Sequence, residues 1–142
     1  MGEQETILKM LSMKSIAVVG LSDKPERASF IVASYLAAHG YKIIPINPAI
    51  PQWQGRKSYP SLEEAAREHE IEMVDVFRKS EEAPAIVQSA IAAGAAAVWL
   101  QEGVVNEEAA KEAHTAGLLF VMDKCIKKEH QDFFRSGAAA PL

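Results

Sequence analysis

Apolar positions along the chain switch repeatedly between an unbroken run and a helical period, and each switch marks an element. Ile16, Ala17, Val18 and Val19 are consecutive and end at Gly20. A run apolar on both faces is what a strand needs in a parallel sheet covered by helices on either side. Ile31, Val32, Tyr35, Leu36 and Ala38 then recur at helical spacing, and Gly40 after His39 supplies a left-handed stop. A second strand is expected over 41–46, closed by Asn47 and Pro48. Ser61 with Glu64 three residues on opens a further helix, MVDVF over 73–77 reads as the third strand, and Ser80 and Glu81 start a helix through Ala93, stopped by Gly94. The fourth strand is expected over 96–100. Asn106, followed by Glu107 and Glu108, starts the next helix, and 118–122 forms the fifth strand. Residues 126–134 read as a terminal helix whose Phe133 and Phe134 cover core, and 135–142 as a loose tail. Ahead of all this, Ile7, Leu8, Met10 and Leu11 outline a short amphipathic helix within 3–13.

Five strands alternating with helices predict one α/β domain, a Rossmann-like, doubly wound sheet that is mainly parallel. Right-handed crossovers then bring the loops after the strands to one edge, where such sheets bind ligands at the point of strand-order reversal. The stretch 49–60, with Pro51, Gly55 and Pro60, is expected as a connector, and Trp53 within it as an anchor to the body rather than a lid. Asp75 inside the third strand is expected to be a hydrogen-bonded structural acid.

The edge loops carry the chemistry. Gly20 leaves the first strand without a Cβ, so backbone can pass close to a ligand. The helix after it starts either near Asp23, with Glu26 as capping-box partner and Pro25 in the first turn, or at Ser29. In both cases its N-terminus presents unpaired N–H groups and the positive end of a dipole, which attract an anion. Lys24 and Arg27 in this loop, with Arg78 and Lys79 after the third strand, place four cations on one edge, enough for a ligand with several phosphates.

Other phosphate folds fit less well. GxGxxG is absent and Asn47 and Pro48 stand where a dinucleotide site has a ribose-binding acid; there is no GxxxxGK[ST] loop either. Gly20, Leu21 and Ser22 do not supply the clustered carboxylates of a phospho-acceptor site.

Composition narrows the class further. The chain has 142 residues, 49% hydrophobic and 24% charged, which suits one globular domain. Its net charge of −4 argues against general nucleic-acid binding and requires that an anion be held by a local patch. Cys125 is the only cysteine, so an internal disulfide is excluded, no zinc-ligand spacing exists, and a reducing, cytoplasmic setting is expected. Neither a signal peptide nor a membrane span is expected.

The blocks IAVVGLSDKPERAS, GYKIIPINP, VDVFRKSEEAP, VWLQEGVVNEEAAKEAHTAGL and VMDKC, in that order over about residues 8–130, resemble the small stand-alone CoA-binding proteins. They are similar to the N-terminal CoA-binding domain of the succinyl-CoA synthetase alpha subunit. The resemblance implies coenzyme A, or an acyl-CoA, as ligand. By it, Gly20, Leu21, Ser22, Lys24 and Arg27 would hold the phosphates with help from Ser29. Asn47 and Pro48 would lie beside the adenosine, with Phe77, Arg78 and Lys79 on its other side. Gln101, Glu102 and Gly103 would follow the adenine or pantetheine path. The synthetase's GxTGxxG loop, phosphorylated histidine and ATP-grasp partner have no counterpart in this sequence, so ligase chemistry is not carried over. A binder without catalysis of its own is therefore expected, with room for a homo-oligomer or a protein partner. The alternatives are an acyl-CoA-dependent enzyme using Cys125 with His114 or His130, a mixed disulfide between Cys125 and the coenzyme thiol, and an NAD-type redox or regulatory protein.

Overall fold

The computed structural model describes residues 2–135. Its elements are α1 (Glu3–Leu11), β1 (Ser15–Val19), α2 (Ala28–Ala38), β2 (Lys42–Ile46), β3 (Gln52–Trp53), β4 (Arg56–Lys57), α3 (Leu62–Ala66), β5 (Met73–Val76), a 3-10 turn (Ser80–Glu82), α4 (Ala83–Ala92), β6 (Ala97–Leu100), α5 (Glu107–Thr115), β7 (Leu119–Val121) and α6 (Ile126–Arg135). The unbroken apolar runs become the five strands of one parallel sheet, ordered β2-β1-β5-β6-β7. From β1 the chain steps out to β2, then returns past β1 to β5 and continues the other way. The order therefore reverses between β1 and β5, as in doubly wound Rossmann-like folds.

Both faces of the sheet are covered, which is why its strands are apolar apart from Ser15, Lys42 and Asp75. Ile16, Val18 and Trp99 pack under α1, α2 and α6 through Met10, Leu36 and Ile126. Ala17, Val74 and Val98 face the opposite layer, where Leu62 of α3, Val87 of α4 and Ala113 of α5 meet them. Each large aliphatic side chain fully buried here contributes roughly 1.5–3 kcal/mol of transfer free energy. Among the described residues no helix is long and apolar enough to cross a membrane.

Several expectations are corrected at their edges. The helix after Gly20 does not start near Asp23: residues 21–27 are loop and turn, and α2 begins at Ala28, one residue before the Ser29 alternative. Ile31 is exposed, because α2 turns Ser29, Val32, Ala33 and Leu36 inward instead. Ser80–Glu82 is a tight 3-10 turn, and α4 proper opens with Pro84 in its first turn. Phe133 packs on the core but Phe134 is about half exposed. Arg135 closes α6, while the rest of the expected tail lies outside the described residues. The connector also holds a small antiparallel hairpin, β3–β4, turned by Gln54 and Gly55 at φ +46° and +80°. Paired positive φ values match the right-handed twist of a hairpin. Trp53 in that hairpin is an anchor, 1% exposed, with Phe30 edge-on at 5.5 Å and Arg56 over its ring at 5.4 Å.

Candidate functional site

Where the strand order reverses, the loops after β1 and β5 come into contact. Phe77 donates its N–H to the Val19 carbonyl at 2.9 Å, and Gly20, at φ +85°, leans so close that a Cβ would lie 2.5 Å from the Phe77 carbonyl oxygen. A side chain here would be strained by conformation and by contact together.

Above this corner stands the N-terminus of α2. Its first turn has no side-chain cap and no acid, and the residue in the cap position is Arg27. The Ile31 N–H is the first to find a helical acceptor, the Arg27 carbonyl, which leaves the N–H groups of Ala28, Ser29 and Phe30 without an acceptor among the described residues. Such groups are normally satisfied by a capping side chain, water or a ligand.

Two adjoining cavities open on this edge. One, about 310 Å³, is lined by Gly20, Ser22, Arg27, Ala28, Ser29, Phe77 and Arg78. The other, about 400 Å³, is lined by Asn47, Pro48, Ala49 and Pro60 together with Val19, Ile46, Gly20 and Arg78. Gly20 and Arg78 belong to both, so the pair forms one bent cleft. The first lobe is a cradle of donors, and the second has an apolar wall of prolines and strand-end aliphatics.

Of the candidate residues, the structure brings Gly20, Ser22, Arg27, Ser29, Asn47, Pro48, Phe77 and Arg78 to this cleft. The Leu21 side chain is instead buried in the core, and Lys24 and Lys79 are exposed on the same loops without lining either lobe. Arg78 is held by Glu82 one turn on, through paired contacts of 3.1 and 3.3 Å. The corner after β6 is tied up by protein groups: Gln101 donates to Asp75, Glu102 pairs with Lys128, and the Gly103 N–H is taken by Asp123. Pro60, Ala28, Ala49, Val19 and Ile46 also line the cleft. Pro60 was hidden in the connector, and the others lie at element ends where only the topology assigns them to one place.

Asp75 is fully buried. Its Oδ1 accepts from Gln101 at 2.5 Å while Oδ2 has no hydrogen-bond partner among the described residues. Burial pushes its carboxyl up to about 7, against the smaller opposing pull of the Gln101 and Val76 hydrogen bonds. Cys125 is a partly buried free thiol bonded to neither His114 nor His130, and the Nδ1 of His130 is occupied by the Tyr35 hydroxyl at 2.7 Å. Among the described residues no cluster of histidine, cysteine and acidic side chains is arranged to hold a metal.

The CoA-binding domain pattern matches residues 14–131, from the start of β1 well into α6. The chain belongs to the CoA-binding domain family. An uncharacterized protein from Bacillus subtilis (strain 168), YneT, is 43% identical over 117 residues, covering 82% of this chain and 85% of the relative. Within the same comparisons, a hypothetical protein from Pyrococcus horikoshii OT3 is 41% identical and superposes with a TM-score of 0.88 over 94% of this chain and 93% of that one. A dinucleotide-forming acetyl-coenzyme A synthetase from Ca. Korarchaeum cryptofilum shares the fold at 20% identity and a TM-score of 0.71, matching 82% of this chain but only 28% of the synthetase. The matched region spans the whole sheet and every loop of the cleft.

Proposed function

We propose that this protein binds coenzyme A, free or acylated, in the cleft at the β1–β5 switch point, and that it acts as a binder without catalysis of its own. The observation that carries this is the open N-terminus of α2, bordered by Arg27 and Arg78, in a chain of the CoA-binding domain family. Coenzyme A presents a diphosphate and a 3′-phosphate. The free N–H groups of Ala28, Ser29 and Phe30 offer backbone donors to one phosphate, and the arginines offer forked, charge-assisted bonds. Gly20 gives the ligand room at the corner. Pro48, Pro60 and Ile46 supply a flat apolar wall of the kind a purine packs against. Lys24 and Lys79, exposed on the same two loops, stand beside Asp23, Glu26, Glu81 and Glu82, so the basic side chains act on the ligand individually and not as a net positive field. The Gln101–Gly103 corner, already committed to protein partners, is given no ligand contact.

Titration calorimetry with coenzyme A tests this reading. Wild-type protein is expected to bind, and Arg27→Ala with Arg78→Ala to lose on the order of 1.5–3 kcal/mol for each charged contact removed. Unchanged affinity in the double variant would place the ligand elsewhere.

A further inference from the structure

Asn47 lines the second lobe of the cleft, yet its polar atoms are turned into the protein. Its Nδ2 donates to the Leu21 carbonyl at 2.9 Å and its Oδ1 accepts from the Ala49 N–H at 2.8 Å. The Asn47 N–H donates to the Tyr59 carbonyl, and its own carbonyl accepts from the Ser58 hydroxyl, both at 2.9 Å. Only one orientation of the side-chain amide satisfies both of its side-chain bonds.

The carbonyl that Asn47 holds belongs to the same peptide unit as the Ser22 N–H, and that N–H donates to the Ser29 hydroxyl at 3.0 Å. Asn47 and Ser29 thus grip opposite ends of one peptide group, with its positive end toward the first turn of α2. Rotating that peptide by half a turn would aim a carbonyl oxygen at the lobe where α2 gathers its free N–H groups. Ser29 does not choose between the two states, because a hydroxyl can accept from an N–H or donate to a carbonyl. Asn47 does choose, because an amide whose oxygen is already fixed by Ala49 offers the Leu21–Ser22 peptide only a donor.

We infer that Asn47 is a positioning residue: it locks the Leu21–Ser22 peptide in the anion-accepting orientation and so sets the affinity of the cleft without touching the phosphate itself. This rests on the coenzyme A reading above and adds the control of that site.

Two substitutions separate the clamp from the turn it belongs to. Asn47→Ser keeps an acceptor for the Ala49 N–H but is too short to reach Leu21. Asn47→Asp keeps the acceptor and turns a carboxylate oxygen on the Leu21 carbonyl, which favours the rotated peptide. Coenzyme A affinity is expected to fall about tenfold in Asn47→Ser and further in Asn47→Asp. Asn47→Ser, which removes the donor to Leu21 and adds no charge, separates loss of the clamp from charge repulsion by a carboxylate at this position. In the ligand-free proteins the Ser22 amide resonance is expected to move and its hydrogen exchange to change, while amides of α3 and α5 stay put. A merely structural Asn47 would lower the thermal midpoint and leave the coenzyme A affinity of the folded protein where it was. An unmoved Ser22 amide, or affinities equal to wild type, would overturn the positioning role alone. Failure of wild-type protein to bind coenzyme A would overturn the proposed function instead, and the Ser22 amide shift would still decide the clamp. If Asn47→Asp does not fold, Asn47→Ser carries both measurements.

Discussion

The N-termini of α2 and α5 follow strands of the same parallel sheet, yet they are finished in opposite ways. In α5, Asn106 accepts the Ala109 N–H at 2.8 Å, and Glu107 and Glu108 occupy the first turn, so donors and dipole are answered from within the chain. α3 does the same with Ser61 and Glu64. α2 has an arginine where the cap would be and no acid in its first turn. A capping side chain is worth about 1 kcal/mol and a first-turn acid a few tenths more. A helix that forgoes both at a strand-order reversal keeps its donors available for something outside the chain.

The contrast can be broken at several points. The largest effect is expected from Gly20→Ala, where a positive φ and a 2.5 Å approach to Phe77 act together. A loss of roughly 1–3 kcal/mol from backbone strain alone is expected in urea denaturation, more with the contact, together with loss of coenzyme A binding. Next, Arg27→Ala should weaken coenzyme A binding by about 1.5–3 kcal/mol, whereas Lys24→Ala, exposed and outside both lobes, should cost clearly less in the same calorimetric series. Equal losses would mean that the loop acts as a diffuse charge and not as a shaped end of α2.

A third test asks whether the fold hides its own counter-ion for α2. If buried Asp75 served that purpose its carboxyl would be held below the ordinary range, whereas it is raised to about 7. With the folded value above the unfolded one, the folded state holds a proton that the unfolded chain has released. Stability is therefore complete below about pH 4 and is lost as pH rises towards 7, at up to about 1.4 kcal/mol per pH unit. Asp75→Asn should flatten that part of the stability curve, and a slope of the opposite sign would make Asp75 an internal anion. The smallest effect is expected from Asn106→Ala, about 1 kcal/mol of stability with unchanged coenzyme A affinity. A comparable loss of affinity there would erase the distinction between the two helix ends.

That same distinction governed what could be read in advance. The starts of α3 and α5 were legible because a cap is a local code, S-x-x-E in one and N-E-E in the other. The start of α2 was legible only as two alternatives, since Asp23 with Glu26 mimics a cap that the helix does not use, while Ser29 lies one residue from the observed start. The strands were legible from apolar runs because both faces are buried, and Gly20 was legible as a close-approach residue. Pairings across the fold were not: nothing local joins Gln101 to Asp75, Glu102 to Lys128 or Asn47 to Leu21. The β3–β4 hairpin has no local signature in the sequence because Gln54 occupies a left-handed turn position that Asn or Asp would advertise.

The bonds of Asn47 tie together stretches near residues 21, 47–49 and 58–59, and the Gly20 corner adds residue 77. These separations mean that the walls of the pocket come from segments far apart in the chain, brought together only by the complete fold. The glycine-led segment after the first strand is consequently not a portable module. Transplanted as a peptide or into another scaffold, it would keep its sequence and lose its grip, because what shapes it is contributed by Asn47 and Phe77, well downstream in the chain.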